Sequence, residues 1–414
     1  MTIEKYVFVN PLKGVNYGIA TYINQARSAL SNIIETDVIH NINKLNRVDF
    51  QYYVLDALRK FNPETTLFEF PETYAASLYV NNVYKIHVRC HLPLAYAQEI
   101  NNQKIDEVRF QQEMQVIRQA RCVSSPSLYL RNRISKDSGV EEDKIFHYRN
   151  PIIGHLRKEI QKKKYDLLFV GRNELLKGAN FLPELAAMLG ADFKIAVVGQ
   201  RLASLNLPSN CINLGELDNS ALKEVYKSSD AIVSLSPYEN CSMVVLESLK
   251  AKLKIYAWNT GGTKEIAPEP MIRVVNFGDV AKLADLIRKH KEDIVVDENY
   301  DNAIGVINNE FVLGVKRIIS NQEISANSGV PYIFDPKTRD TAKDDILTIV
   351  TDNWRCAQVK YAVDIFRAKK VYVISPESLR LTEGKKITFI ENRIKNKALI
   401  NVFIKRSKKV ISEI

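Results

Sequence analysis

The sequence predicts an α/β protein made of two successive parallel-sheet units and a shorter C-terminal piece. Three observations carry that prediction. Short apolar runs alternate with longer amphipathic ones through residues 1–150, the pattern of βαβ crossovers. The same alternation restarts after a polar, lysine-rich stretch, Leu156 to Lys164, which suits a hinge. A chain of 414 residues is also too long for one ordinary domain. The expected units are 1–155, 156–320 and a C-terminal extension, 321–414.

In the first unit Tyr6–Asn10 reads as a strand, 11–18 as a loop and Ile19–Leu30 as a helix. Lys85–Cys90 is a later strand that ends at His91, and Arg121–Ser125 is another, followed by a helix over Pro126–Asp137. Lys144–Arg149 then runs into Asn150-Pro151. The second unit offers strands at Asp166–Val170, Lys194–Gly199, Cys211–Leu214, Ala231–Leu235 and Lys254–Ala257. Helices are expected near Gly178–Leu189, Asn219–Ser228, Met243–Lys252 and Val280–His290. Beyond Asn321, Asp345–Val350, a helix through Lys360–Phe366 and Val371–Ile374 read as a further βαβ piece.

Composition narrows the class. A 46% hydrophobic and 26% charged chain is ordinary globular material. Its five cysteines (Cys90, Cys122, Cys211, Cys241, Cys356) show no CxxC pair, which suits reduced thiols of a cytoplasmic protein. The start, Met1 to Asn10, carries an acid and an apolar run only one strand long, unlike a signal peptide. No run of about 18 apolar residues exists to span a membrane. The net charge of +10 is uneven: Leu381 to Ile414 holds nine Lys or Arg against three acids, a local +6. Such a segment is either a solubilising surface or a docking face for anionic lipid through 385–409; its apolar residues equally suit packing on the protein. Nucleic acid is the weaker expectation, because no aromatic stacking motif accompanies the lysines.

Three short motifs carry the chemistry. Phe169-Val-Gly-Arg-Asn-Glu-Leu-Leu-Lys-Gly178 places Gly171, Arg172 and Lys177 just past a strand, at the carboxyl edge where open α/β sheets bind ligands. Two cations there would stabilise a pyrophosphate whose charge grows as its glycosidic bond breaks. Glu239 and Glu247 bracket Asn240, Cys241, Ser242 and Met243, where a strand–loop turns into a helix whose free N–H groups would face a phosphate. Thr260-Gly-Gly-Thr-Lys-Glu265 follows the next strand; Gly261 and Gly262 serve either close backbone approach to a nucleotide or a tight turn, or both.

Together these G-R-x4-K-G, E-x7-E and Gly-Gly-x-x-Glu elements resemble the donor-binding half of retaining GT-B glycosyltransferases, especially glycosyltransferase family 4. The resemblance implies two Rossmann-like domains facing across a cleft, with the acceptor side N-terminal and the nucleotide-sugar side C-terminal. It implies Arg172 and Lys177 on the pyrophosphate, Glu247 on the ribose diol and Glu239 on the donor sugar. His91 aligns with the family histidine that approaches that sugar from the facing domain, and Arg89 shares its side of the strand. The first-strand loop of such proteins nears the donor phosphate; here Gly14 and Gly18 flank it without the usual adjacent glycines, and Gly18 is the better candidate. The resemblance does not reach the last ~90 residues.

The function expected is transfer of a sugar from a nucleotide-sugar to a glycan or lipid-linked acceptor, as in bacterial surface polysaccharide synthesis, on the cytoplasmic side of the membrane. No Asp-x-Asp pair occurs, so no metal is expected and no further cofactor is implied. The absence of P-loop and dinucleotide fingerprints argues against ATPase and dehydrogenase chemistry. An epimerase or phosphorylase on the same fold remains open, as does a non-catalytic nucleotide-binding subunit that scaffolds a partner transferase.

Overall fold

The computed structural model describes residues 2–12, 18–80, 83–154, 163–293 and 297–320, with the backbone of four later strands. The first unit alternates β1 (Lys5–Asn10), α1 (Gly18–Leu30), β2 (Glu35–His40), α2 (Arg47–Leu58), β3 (Thr66–Pro71), β4 (Lys85–Arg89), α3 (Leu94–Ile100), α4 (Glu107–Gln119), β5 (Cys122–Ser125), α5 (Leu128–Ser138) and β6 (Ile145–His147). The six strands form one parallel sheet in the order β2-β1-β3-β4-β5-β6. Helices cover both faces, so β1 and β3 bury nearly every residue and read as continuous apolar runs.

The second unit repeats the plan: β7 (Tyr165–Val170), α6 (Leu182–Leu189), β8 (Ile195–Val198), β9 (Cys211–Gly215), α7 (Asn219–Lys227), β10 (Ser229–Ser234), α8 (Met243–Lys250), β11 (Lys254–Trp258), β12 (Ile272–Val275), α9 (Val280–Lys289) and α10 (Asp297–Ser320). Its parallel order is β12-β11-β10-β7-β8-β9. Helices begin where short polar side chains accept from the first turn: Asn46, Asp106, Ser127, Asp218, Ser242 and Asp279. The helix expected from Gly178 is instead a 3-10 turn, Ala179–Phe181, with α6 starting at Leu182. Pro183 explains the delay, because proline fits only the first turn of a helix.

A third parallel sheet, order β15-β14-β13-β16, is built from β13 (Ile346–Val350), β14 (Lys370–Ser375), β15 (Ile387–Glu391) and β16 (Lys409–Ser412). The first two are the strands expected of the extension. The helix expected through 360–366, most of the expected hinge and the basic stretch 392–408 lie outside the described residues. Within the 385–409 stretch expected to offer a docking face, Ile390 and Lys409 sit in strands. No helix among the described residues is long and apolar enough to cross a membrane.

Helix α10 ties the two large units together. Tyr300, Ile304 and Ile307 pack into the second unit's core, whereas Phe311, Val315 and Ile318 pack with Tyr6, Phe8 and Tyr22 of the first. Their spacing of three and four residues makes one continuous stripe. The Arg149 guanidinium adds Nε–Glu310 Oε2 at 3.0 Å and Nη1–Ile266 O at 3.0 Å. Phe311 is fully buried, edge-on to Tyr148 at 5.6 Å and Tyr22 at 6.3 Å. Phe311→Ala should cost about 3–4 kcal/mol in chemical denaturation, the usual price of a large aromatic cavity. A loss below about 1 kcal/mol would mean that α10 does not brace the two units.

Candidate active site

The second sheet reverses direction between β7 and β10. From β7 the chain moves outward to β8 and β9, then returns to β10 and continues to β11 and β12 on the other side. Loops after neighbouring strands diverge at such a point and leave a crevice beyond the carboxyl ends. The loop after β7 carries Gly171, Arg172 and Lys177, and the loop after β10 carries Ser236 and Glu239.

Lys177 closes a 3-10 turn, Leu175–Lys177, and Gly178 follows at φ 65°. A Cβ on Gly178 would stand 1.7 Å from the Leu235 carbonyl oxygen, so glycine is what lets the two loops abut. The result is an ion pair, Lys177 Nζ to Glu239 Oε1 at 2.7 Å, with Ser236 Oγ donating to the same oxygen at 2.9 Å. Arg172 does not join it. Its Nη2 lies 3.1 Å from Glu174 Oε2, and Arg201 takes the other Glu174 oxygen at 2.7 Å. With 40% of its side chain exposed, Arg172 holds only a weak surface pair.

Past Glu239 the chain presents an unusual run of donors. The N–H groups of Asn240, Cys241, Ser242, Met243 and Val244 find no acceptor among the described residues. Asn240, Cys241 and Ser242 are buried, where backbone N–H groups are nearly always paired. Ser242 caps α8 through its hydroxyl, which accepts from Val245, so the helix begins here with its dipole adding positive potential. Glu247, on the second turn of α8, accepts from Tyr226 Oη at 3.0 Å through Oε2. Burial raises its carboxyl pKa against that hydrogen bond.

Gly261 and Gly262 make their close approach to protein. A Cβ would fall 1.9 Å from Glu239 O at Gly261 and 2.2 Å from Asn240 O at Gly262, and Gly262 N donates to Glu239 O at 2.8 Å. Of the two roles expected for this pair, the structure displays the tight-turn one: the glycines seat the Glu239–Asn240 backbone. Glu265 reaches the other unit and accepts from Leu128 N at 2.7 Å and Tyr129 N at 3.1 Å, the first turn of α5.

From the first unit His91 arrives at the end of β4. Its carbonyl accepts from Asn240 Nδ2, and its half-buried ring lies edge-on to Tyr22 at 4.9 Å. Loss of solvation, helped by the Arg89 charge, pushes the imidazole pKa down to about 3. His91 is therefore neutral at physiological pH. A depressed folded-state pKa contributes stability above the unfolded value near 6.5 and loses it as pH falls toward 3. His91→Gln should thus lose less stability than the wild type between pH 6.5 and 4 in thermal melts; parallel losses would contradict this environment.

Among the described residues, Gly18 makes no contact that ties it to these loops. It is the first residue of α1, and a Cβ there would meet nothing within 4 Å. Gly14 and the rest of 13–17 lie outside the described residues. The structure thus joins Lys177, Glu239, Asn240, His91, Gly261 and Gly262, and pairs Arg172 and Glu247 with other partners. Ser236, Glu174, Tyr226, Glu72 and Asn150 were not singled out from the sequence. Glu174 lies inside the Phe169–Gly178 motif and Ser236 stands three residues before Glu239; the other three carry no local signal.

Ser124, His87, Tyr6 and Glu69 form a hydrogen-bonded series with Ser124 Oγ–His87 Nε2 at 2.7 Å, His87 Nδ1–Tyr6 Oη at 2.7 Å and Tyr6 Oη donating to Glu69 Oε2 at 2.6 Å. Ser124 and His87 are fully buried and Glu69 is 3% exposed, so no substrate reaches this serine. It is core, not a nucleophile.

Two parallel-sheet units with ligand loops at the second unit's switch point define the fold class as GT-B. Solved structures agree. Sucrose-phosphate synthase from Thermosynechococcus elongatus aligns with TM-score 0.59 at 15% identity, covering 76% of this chain and 97% of that one. Anabaena HepE in complex with UDP and glucose aligns with TM-score 0.58 at 13% identity, over 76% and 98%. Residues 155–305 match the family model for glycosyl transferases group 1. Among curated relatives, an uncharacterised 41.2 kDa protein of the Klebsiella pneumoniae cps region is 22% identical over 189 residues, 42% of this chain and 52% of that protein. An uncharacterised glycosyltransferase of Methanocaldococcus jannaschii is 30% identical over 118 residues, 26% of this chain and 30% of its own length. The chain thus spans about half the length of the first relative and less of the second.

Proposed function

We propose that the protein is a glycosyltransferase that moves a sugar, with retention, from a nucleotide-sugar to a glycan or lipid-linked saccharide. The observation that carries this reading is the run of acceptor-less N–H groups from Asn240 to Val244 beside Lys177 and Glu239, at the switch point of the second sheet. Consecutive donors and a cation suit a pyrophosphate, and Arg172 has the exposure to swing onto it. Glu247 keeps Oε1 available for a ribose diol while Tyr226 fixes Oε2. The relatives add direction: HepE is seen with UDP and glucose, and the Klebsiella relative belongs to a cps region. A uridine nucleotide and a surface polysaccharide are the first candidates.

In the mechanism we infer, the acceptor hydroxyl attacks the anomeric carbon on the face from which the phosphate leaves. The bond from that carbon to the phosphate oxygen breaks, and this oxygen takes the acceptor proton. Lys177, Arg172 and the loop N–H groups meet the charge that builds on the pyrophosphate, and no metal is needed. Glu239 stabilises the oxocarbenium-like sugar without attacking it. His91, neutral, orients sugar hydroxyls from the other unit.

A thermal-shift panel with UDP, GDP, ADP, CMP and dTDP, each with and without EDTA, tests the binding half. One nucleotide at about 100 times its dissociation constant should add roughly 2.7 kcal/mol, equally in EDTA. A shift that needs Mg²⁺ or Mn²⁺ would refute the metal-independent account, and no shift with any nucleotide would favour a non-catalytic scaffold.

A further inference from the structure

The loop that carries Glu239 is gripped from the other unit at its next two residues. Asn150, just past β6 and 4% exposed, donates from Nδ2 to Cys241 O at 3.1 Å, and its backbone N–H reaches Cys241 Sγ at 3.4 Å. Its Oδ1 accepts from Arg89 Nη2 at 2.8 Å, so the donor end can only point at Cys241. Arg89 is itself fully buried. Nη2 also donates to Tyr148 O at 2.9 Å, Nη1 to Ser124 Oγ at 3.3 Å, and the guanidinium lies over the Tyr148 ring at 4.3 Å. Arg89 Nε finds no partner among the described residues, but its two terminal nitrogens and both ends of the Asn150 amide are paired, which fixes the arrangement.

The second grip starts at Glu72, a fully buried carboxyl group directly after β3 whose pKa burial raises to about 8. It accepts from His91 N at 2.9 Å through Oε2 and from Leu92 N at 2.6 Å through Oε1. That fixes the turn after β4, whose His91 carbonyl receives Asn240 Nδ2. Asn240 Oδ1 is buried and finds no partner among the described residues, so this one amide bond sets the side chain. One series lands on Asn240 and the other on Cys241, while the N–H groups of both residues are left for a ligand.

We propose that Asn150 and Glu72 are positioning residues for Glu239: from the acceptor-side unit, they hold the loop 239–242 in its working shape through Cys241 and through His91–Asn240. The proposal rests on the reading that Glu239 acts on the donor sugar. Loops held only by their own unit would follow that unit's motions; this one is referenced to the opposite sheet, where the acceptor would bind. A loop so held keeps Glu239 within the fraction of an ångström that transfer geometry requires.

The test uses the full chain with Asn150→Asp and, separately, Glu72→Gln. Asn150→Asp keeps Oδ1 for Arg89 but turns an oxygen toward the Cys241 carbonyl. Glu72→Gln keeps one acceptor and replaces the other with an NH₂ that faces an N–H. Hydrogen–deuterium exchange is followed at 239–246 and at β8 as the internal reference, together with nucleotide release from UDP-glucose and from GDP-, ADP- and dTDP-sugars. Expected is exchange at least about tenfold faster at 239–246 with β8 unchanged, and kcat down about tenfold with KM within about twofold. Unchanged exchange at 239–246 overturns the proposal, and so does faster exchange with unchanged kcat. If one variant does not fold, the other carries the same readouts. If the wild type releases no nucleotide from any donor, the transferase reading fails, and the exchange arm still decides whether these residues hold the loop.

Discussion

Replacing Glu239 with alanine should lower kcat for sugar transfer by about 10²- to 10³-fold while nucleoside diphosphate affinity holds or improves, the effect of deleting one preorganised electrostatic partner of a transition state. The split follows from where Glu239 sits. Its Oε1 is held by Lys177 at 2.7 Å and Ser236 at 2.9 Å, and its backbone oxygen by Gly262 N at 2.8 Å. The carboxylate is thus fixed before substrate arrives. Removing it takes a negative charge away from a phosphate site and frees Lys177, neither of which weakens nucleotide binding. Glu239→Gln keeps the Ser236 contact and loses only the charge, so its defect should lie close to that of alanine. Initial-rate kinetics beside calorimetric titration with the nucleotide separate the two quantities. An equal loss in both would place Glu239 on the nucleotide and not on the sugar.

The second large effect belongs to Lys177. Lys177→Ala should weaken nucleoside diphosphate binding by about 10- to 100-fold, since a charge-assisted hydrogen bond is worth about 1.5–3 kcal/mol and each 1.4 kcal/mol is tenfold. Part of that loss comes from Glu239, whose charge the variant leaves facing the phosphates without its cation. Lys177→Ala with Glu239→Ala should therefore bind nucleotide more tightly than Lys177→Ala alone, a coupling that a double-mutant cycle reads directly. Additive losses would mean that the pair seen here is not the pair that meets the donor. Arg172→Ala should do less, because Arg172 is engaged with Glu174 and more exposed.

Much of this site was legible in the sequence because its parts are local. A strand, then Gly171-Arg172, then Lys177-Gly178 fixes a loop at a sheet edge, and Gly178 is there because Leu235 leaves no room for a Cβ. The strand–loop–helix around Glu239 was equally readable, since Ser242 is an ordinary helix cap. What pattern could not supply are partners distant along the chain. Asn240 meets His91 across 149 positions, Asn150 meets Cys241 across 91 and Glu265 meets Leu128 across 137. Nothing in the spacing of an asparagine or a glutamate announces such a partner. The long helix α10 was missed for another reason: Gly305 and Gly314 interrupt it, and glycine inside a helix is unfavourable. Its stripe from Tyr300 to Ile318 is held by two cores at once, so tertiary packing outweighs local preference. Gly18, read as a ligand-approach position, starts a helix with open space beside it, so no protein contact accounts for the glycine.

The most direct test of the account is release of nucleoside diphosphate from a panel of UDP-, GDP-, ADP- and dTDP-sugars by the wild type and by Glu239→Gln, in EDTA. The account predicts slow turnover of one donor class by the wild type, transfer to water when no acceptor is supplied, and a loss of about 10²-fold or more in the variant. Binding of a nucleotide with no turnover of any donor, or turnover that Glu239→Gln leaves intact, would contradict it.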